Sequence, residues 1–162
     1  MLRAVECQPQ GARHGLIDDE VTLDFDNRHR RRLAMTGTKG LEFLLDLPRA
    51  HRLRHGDTLL LEDGRRIRIV AAKEPLAQIS APAPADLIRI AWHLGNRHLP
   101  VMLFPDRILI RRDHVIEDMV RLLGAEVETI EAPFDPEDGA YAGSGGHHHH
   151  HHHHDDGDHH HG

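Results

Sequence analysis

The sequence predicts an α+β protein in three parts: a small all-β domain over residues 1–73, a ferredoxin-like βαββαβ domain over 74–134, and a disordered, histidine-rich tail over 135–162. Three observations carry this reading. Up to Lys73 the apolar residues alternate at period two or form short runs between glycines, and helical spacing is absent. Beyond Lys73, two stripes of helical spacing alternate with short apolar runs. From His147 to Gly162, eleven of sixteen residues are histidine, against seven in the 146 before them.

The elements follow in order. Val21 to Asp26 alternates apolar and polar residues, which puts Val21, Leu23 and Phe25 on one face of a half-buried strand. Arg32–Met35, Leu41–Leu45, Thr58–Glu62 and Arg66–Ala71 are further strands, with Gly37, Gly40, Gly56 and Gly64 at turn positions between them. Asp63-Gly64 is the dipeptide of a two-residue hairpin in which both central residues take positive φ. After Lys73, Gln78–Ala81 reads as a short strand. Pro84 then opens a helix with Leu87, Ala91 and Leu94 on one stripe, and Gly95 ends it. His98–Phe104 is a strand, Pro105-Asp106 a turn and Ile108–Arg112 a strand. Asp113 starts a second helix, whose stripe of Val115, Ile116, Met119, Val120 and Leu123 stops at Gly124. Glu126–Ile130 is the last strand. The order β-α-β-β-α-β is the split βαβ arrangement, an antiparallel sheet with two helices on one face. Past Ala132 the hydrophobic pattern disappears, and the tail is expected to be disordered without metal.

Composition excludes several functions. Cys7 is the one cysteine, so an internal disulfide and a thiolate metal cluster are both ruled out, and any metal is held by nitrogen and oxygen. Ser80 and Ser144 are the two serines, which leaves little material for nucleophilic catalysis, and the reading is of a protein that is not an enzyme. Thr36-Gly37-Thr38-Lys39-Gly40 fails the spacing of a phosphate loop and reads as a turn between strands. No apolar run approaches a membrane span, and the N-terminus lacks an export signal, so a cytoplasmic protein without membrane contact is expected. Residues 1–73 carry 14 Lys/Arg and 11 Asp/Glu, whereas residues 74–146 carry 6 and 12. Arg28, Arg30, Arg31, Arg32, Arg49, Arg52 and Arg54 could form a basic face. They are interleaved with neither aromatics nor a nucleic-acid motif, so the reading is no nucleic acid, and a solvated surface or a docking face for an acidic protein.

Imidazole is a common ligand for zinc, copper and nickel, and the tract formed by His147, His148, His149, His150, His151, His152, His153, His154, His159, His160 and His161 points to metal handling. Gly143-Ser144-Gly145-Gly146 just before it has the composition of an engineered linker, so a purification tag is the competing explanation. The continuation through Asp155-Asp156-Gly157-Asp158 favours a native tail. The folded part holds a sharper feature, Trp92-His93-Leu94-Gly95-Asn96-Arg97-His98, in which a histidine follows a glycine-capped helix.

Ala91 to His98, with the motif Gly95-Asn96-Arg97-His98, resembles the signature of UreE-type urease accessory proteins, which deliver nickel. The resemblance extends over nearly the whole chain, from a β domain through a ferredoxin-like domain to a histidine-rich C-terminus. It implies that His98 is the fixed Ni2+ ligand, contributed by both subunits at the centre of a homodimer, so that a two-fold axis doubles one imidazole into a pair. It also implies a relay with the urease accessory GTPase and the apo-urease assembly complex. The β domain of the family is similar to peptide-binding domains of J-domain co-chaperones, which implies a docking role for residues 1–73. His114 stands at the family's auxiliary position, one turn from Asp118. Some relatives have a further histidine two residues earlier, where this chain has Arg112, and that departure weakens a second fixed site. His93 reads as a surface residue, and His14, His29, His51 and His55 lie among arginines, whose charge disfavours a cation. Zn2+ or Cu2+ would bind the same ligands, so nickel enters through the resemblance alone. The tail would act as reservoir and relay, and because imidazole ligates only when neutral and titrates near about pH 6.5, mild acidification is expected to release the metal. Two other functions fit the residues: a general divalent-metal buffer without a client, and a peptide-binding module carrying an artificial tag.

Overall fold

Apolar residues two apart build the first sheet. The computed structural model describes residues 1–12 and 15–138. Strands β1 (Arg3–Gln8), β2 (Asp19–Leu23), β3 (Arg32–Thr36), β4 (Glu42–Asp46), β5 (Thr58–Leu61) and β6 (Arg66–Ala71) form one six-stranded sheet in the order β2-β6-β5-β1-β4-β3. The β1–β4 and β2–β6 ladders are parallel and the other three antiparallel. Val21, Leu23, Met35, Phe43, Leu45, Leu59, Leu61, Ile67 and Ile69 turn inward and form a single buried cluster. Full burial of each such side chain contributes about 1.5–3 kcal/mol.

Several expectations are corrected in this sheet. β1 is an unexpected strand, because among its residues Ala4 alone is fully buried and the alternation is lost among Arg3, Glu6 and Gln8. β2 ends at Leu23, so Phe25 leaves the strand face and enters a 3-10 turn at Asp26–Arg28. The β5–β6 turn is not a two-residue hairpin. Gly64 takes φ +88° but Asp63 does not, and the Gly64 N–H donates to the Leu61 carbonyl at 2.9 Å. Glu62, Asp63 and Gly64 thus form a three-residue loop with glycine at its left-handed position. Asp19, 3 % exposed, anchors the β3–β4 turn: its carboxylate accepts from the backbone N–H of Glu20 and Lys39 and from the Thr38 hydroxyl.

The second sheet comprises β7 (Lys73–Ser80), β8 (Met102–Leu103), β9 (Ile108–Arg111) and β10 (Glu126–Pro133), in the order β10-β7-β9-β8 with every ladder antiparallel. Helices α1 (Pro84–Asn96) and α2 (His114–Leu122) join β7 to β8 and β9 to β10. Both cover one face, where Leu87, Ile90, Leu94, Ile116 and Val120 pack on Ala77, Ile79, Ile108 and Ile110. β7 and β10 pair over eight residues each, longer than the expected Gln78–Ala81 and Glu126–Ile130. The other face of this sheet, built from Leu76 and Leu109, receives Phe134.

That second face is where the two units meet. The Phe25 ring stands edge-on to Phe134, with centroids 5.2 Å apart at 69°. The Phe25 N–H donates to Glu74 Oε2 at 3.0 Å, and Arg111 lies over the Phe25 ring and pairs with Asp26 at 3.0 Å. Arg28 is not part of a solvated basic face. Its guanidinium is fully buried, donating to the carbonyls of Leu53 and Phe134 and lying 3.6 Å from Asp135. Burial works against its charge and lowers its proton affinity, which Asp135 and Glu74 restore only in part. After β10 the chain passes beneath the sheet through Phe134. It emerges at the β8 edge, where the Asp135 N–H meets Met102 Sδ and the Glu137 N–H donates to the Val101 carbonyl at 2.7 Å.

Candidate metal centre

Pro84 occupies the first turn of α1, where its missing N–H costs nothing, and Leu87, Ile90 and Leu94 form the buried stripe. Ile90 takes the deep place expected for Ala91, which is half-buried. The helix does not stop at Gly95. It continues through Asn96, with Arg97 as its C-cap and His98 in the left-handed region at φ 56°. The His98 N–H donates to the Gly95 carbonyl at 3.0 Å and the Leu99 N–H to the Leu94 carbonyl at 3.4 Å. These two bonds define a Schellman ending, and Leu99 completes it by packing onto the helix core. His98 is therefore a helix-ending residue rather than the start of a strand, and the following strand is shortened to Met102–Leu103.

Left-handed backbone costs a residue with a Cβ about 1 kcal/mol or more, and His98 is the only non-glycine among the described residues that adopts it. The His98 side chain is exposed at the helix end. On the same helix Ile88 and Trp92, one turn apart, are 70 % and 64 % exposed, and the Trp92 ring stands edge-on to His93 at 5.1 Å. Sequence reading missed this exposed apolar pair. Its signal was the i, i+4 spacing of two large apolar residues off the buried stripe.

α2 begins where the sequence places it. The Asp113 carboxylate accepts from the N–H groups of Val115 and Ile116, a side-chain cap worth about 1 kcal/mol, and His114 is the first, exposed residue of the helix. Of its expected stripe, Ile116 and Val120 are buried, Met119 is half-buried, and Val115, at 60 % exposure, faces out. Arg112 donates to Glu117 at 3.2 Å; Glu117 is 2 % exposed and also accepts from the Asp113 N–H. The carboxylate of Asp118, one turn from His114, is engaged by Arg121 at 3.1 Å. A cleft of ≈ 240 Å³ lies between the segment that follows His98 and the one that precedes His114, lined by Leu99, Pro100, Ile110, Arg112, Asp113 and Ile116 among others.

Among the described residues, no three His, Cys, Asp or Glu side chains come together as a ligand cluster. His98 and His114 each stand exposed. The expected ligands His147–His154 and His159–His161 lie outside the described residues, as does His14. His55 has a structural contact: its Nδ1 accepts from the Ala71 N–H at 3.2 Å. Cys7 is withdrawn from metal chemistry, because burial and the neighbouring Asp57 push its thiol up to about 12. No helix among the described residues is long and apolar enough to cross a membrane.

The comparisons with known proteins follow the same two units. Residues 4–72 match the UreE urease accessory protein N-terminal domain, and residues 74–161 match the C-terminal domain of the same family. A urease accessory protein UreE of Bradyrhizobium sp. (strain ORS 278) is 62 % identical over 142 residues, 88 % of this chain and 68 % of that protein. One from Rhodopseudomonas palustris (strain BisB18) is 58 % identical over 142 residues, covering 88 % and 67 %. One from Rhodobacter capsulatus is 47 % identical over 145 residues, covering 90 % and 89 %. With each sheet matched by its own half of the family and relatives at such identity over most of this chain, this chain belongs to the UreE family of urease accessory proteins, a family that serves urease maturation and is not catalytic.

Proposed function

We propose that this protein is a cytoplasmic nickel metallochaperone that acts as a homodimer, holding Ni2+ between two copies of His98 and passing it to apo-urease through the urease accessory GTPase. The observation that carries the reading is the backbone of His98. A histidine kept in a glycine conformation, at a cost to the fold and with its side chain in solvent, is placed for something other than packing.

The described donors of one protomer do not assemble a ligand set, so the reading requires further imidazoles. A second copy supplies one. Ile88 and Trp92 present an apolar surface on the helix that ends at His98, and its self-association across a two-fold axis would bring two His98 side chains together. The histidine tract supplies the rest, and the family match to residue 161 supports the tract as a native part of the chain. His114 enters as an auxiliary ligand, with Arg112 tied to Glu117 where a second histidine would strengthen it. A site with so few fixed ligands suits a carrier that must release its cargo, whereas structural zinc sites are closed by four. Zn2+ and Cu2+ compete for the same nitrogen donors.

Residues 1–73 act in this reading as a docking domain and residues 74–134 as the metal-binding and dimerisation domain. The strand order β10-β7-β9-β8, with α1 and α2 on one face, supports a ferredoxin-like topology for the latter. The test is calorimetric nickel titration, with solution mass, of the chain lacking residues 143–162 and of the same chain carrying His98→Ala. About one ion per dimer is expected in the first and none in the second. Equal binding in both would remove His98 from the mechanism, and loss of all binding on tail removal alone would favour a tag.

A further inference from the structure

The five residues before the tail take a route that the fold does not require. β10 is one edge strand of the second sheet and β8 is the other. A tail leaving directly from Pro133 would start at the β10 edge. Instead Phe134 dives beneath the sheet against Leu76 and Leu109, and Glu137 reappears on the β8 edge, its N–H bonded to the Val101 carbonyl at 2.7 Å and its Oε1 accepting from the Leu103 N–H at 3.3 Å. Val101 is three residues from His98. Four strands are spanned in the crossing, about 14 Å at ordinary strand spacing.

The crossing is held from the first unit. Arg54 donates to Asp135 at 2.7 Å and pairs with Asp138 at 2.6 Å, and Arg52 donates to the Pro136 carbonyl at 2.8 Å. Burial opposes the Arg54 charge, but its hydrogen bond to Asp138 and the charge of Asp135 raise its proton affinity. The Arg54 hydrogen bond in turn holds the Asp138 carboxyl below its ordinary range. Arg52 also pairs with Asp138 at 3.5 Å, so both half-buried arginines meet carboxylates of the segment.

We infer that Phe134–Asp138 is a clasp that roots the histidine tract beside His98, with Arg52, Arg54 and Glu137 as positioning residues for the metal site. The inference rests on the proposed pairing of His98 with tail imidazoles. His147 lies nine positions after Asp138, a reach of at most about 30 Å, against fourteen positions and about 50 Å from Pro133. Effective concentration falls roughly as the −3/2 power of tether length, and the root also shifts by the width of the sheet. Opening the clasp therefore lowers the local concentration of tail imidazole at His98 about twofold through tether length alone, and further through the shift of its root. Because Arg52 and Arg54 belong to residues 1–73, the first unit controls where the tail begins without touching the metal.

The test uses the full chain and nickel itself, read by quenching of Trp92, the chain's one tryptophan, on the helix that ends at His98. Arg52→Gln with Arg54→Gln, and separately Glu137→Pro, are made in the parent chain and in a chain whose eleven tail histidines are replaced by serine. Each is expected to weaken nickel at the Trp92-reporting site at least about twofold in the parent and to change nothing in the serine-tail chain. An equal loss in both chains would show a merely structural role, and no loss in the parent would show that the tail's root does not matter. Either overturns the clasp. His98→Ala in the serine-tail chain separates the underlying reading: undiminished binding there would refute the His98 site itself.

Discussion

His98 and Gly124 hold the same position in the same helix-ending turn. Each follows its helix's C-cap, takes positive φ (56° and 91°) and donates its N–H to the carbonyl three residues back, at 3.0 Å in both. α2 uses glycine, which suffers no Cβ clash there, and α1 uses histidine, which does. The first helix gives up stability at that residue, where a glycine would carry no such strain.

Replacing His98 by glycine should accordingly improve the fold while destroying the site. The expected gain is about 0.5–1 kcal/mol, or some 2–4 °C in the thermal midpoint, because relief of left-handed strain is partly offset by glycine's greater freedom when unfolded. Differential scanning calorimetry measures the gain and nickel titration of the tail-less chain the loss. A glycine variant less stable than the parent would mean that the His98 ring contributes packing.

Ile88→Asp with Trp92→Lys should leave the fold unchanged, since both side chains are largely exposed at 70 % and 64 %, and should convert the proposed homodimer to a monomer. Light scattering gives the mass. Nickel affinity of the fixed site is expected to fall at least about tenfold in the monomer, which keeps one of two imidazoles. A dimer that survives both charges would place the two-fold axis elsewhere.

Phe134→Ala removes the residue that both units share. It is fully buried, stacks edge-on to Phe25 and lies in the cluster with Leu76 and Leu109. A cost of about 3–5 kcal/mol is expected, along with a broadened or split thermal transition as the two sheets lose their common core. Calorimetric and van't Hoff enthalpies that stay equal would show that the remaining contacts suffice to couple the units.

Gly37 has no room for a methyl group. A Cβ there would collide with Asp19 Oδ2, and that carboxylate is pinned by several donors, so Gly37→Ala should cost about 2–3 kcal/mol in urea unfolding. Burial raises the proton affinity of Asp19, but the N–H groups of Lys39, Glu20 and Leu41 and the Thr38 hydroxyl outweigh it and hold the carboxyl below its ordinary value of 3.8. The sign follows: the contribution is fully present above pH 3.8 and is lost as pH falls below that value through the folded pKa. Asp19→Asn should flatten the acid limb of the stability profile. An unchanged limb would assign the acid sensitivity to other carboxylates.

Much of the architecture was legible because it is written in local periodicity. Pro84, Asp113 and Gly124 marked three helix ends correctly, and Arg66–Ala71 was placed to the residue, since caps and alternation act within a few positions of where they are read. The failures share one cause. Gly95 looked like a helix stop and Phe25 like a strand residue, yet a stop depends on where Leu99 packs, and Phe25 on Phe134, 109 residues away. Arg28, Arg52 and Arg54 read as a solvated face because their carboxylates lie more than 80 positions downstream.

By itself the sequence determined the order of strands and helices after β1, the want of a catalytic nucleophile and the concentration of imidazole in the tail. Tertiary structure alone decided that His98 sits in a strained turn, that Ile88 and Trp92 are left uncovered on the helix it ends, and that the last described residues cross beneath a sheet to meet the Val101 carbonyl on its far edge. The division is physical. Composition and periodicity act over one or two turns of chain, whereas strain, exposure and chain path are set by which distant surfaces exclude water together.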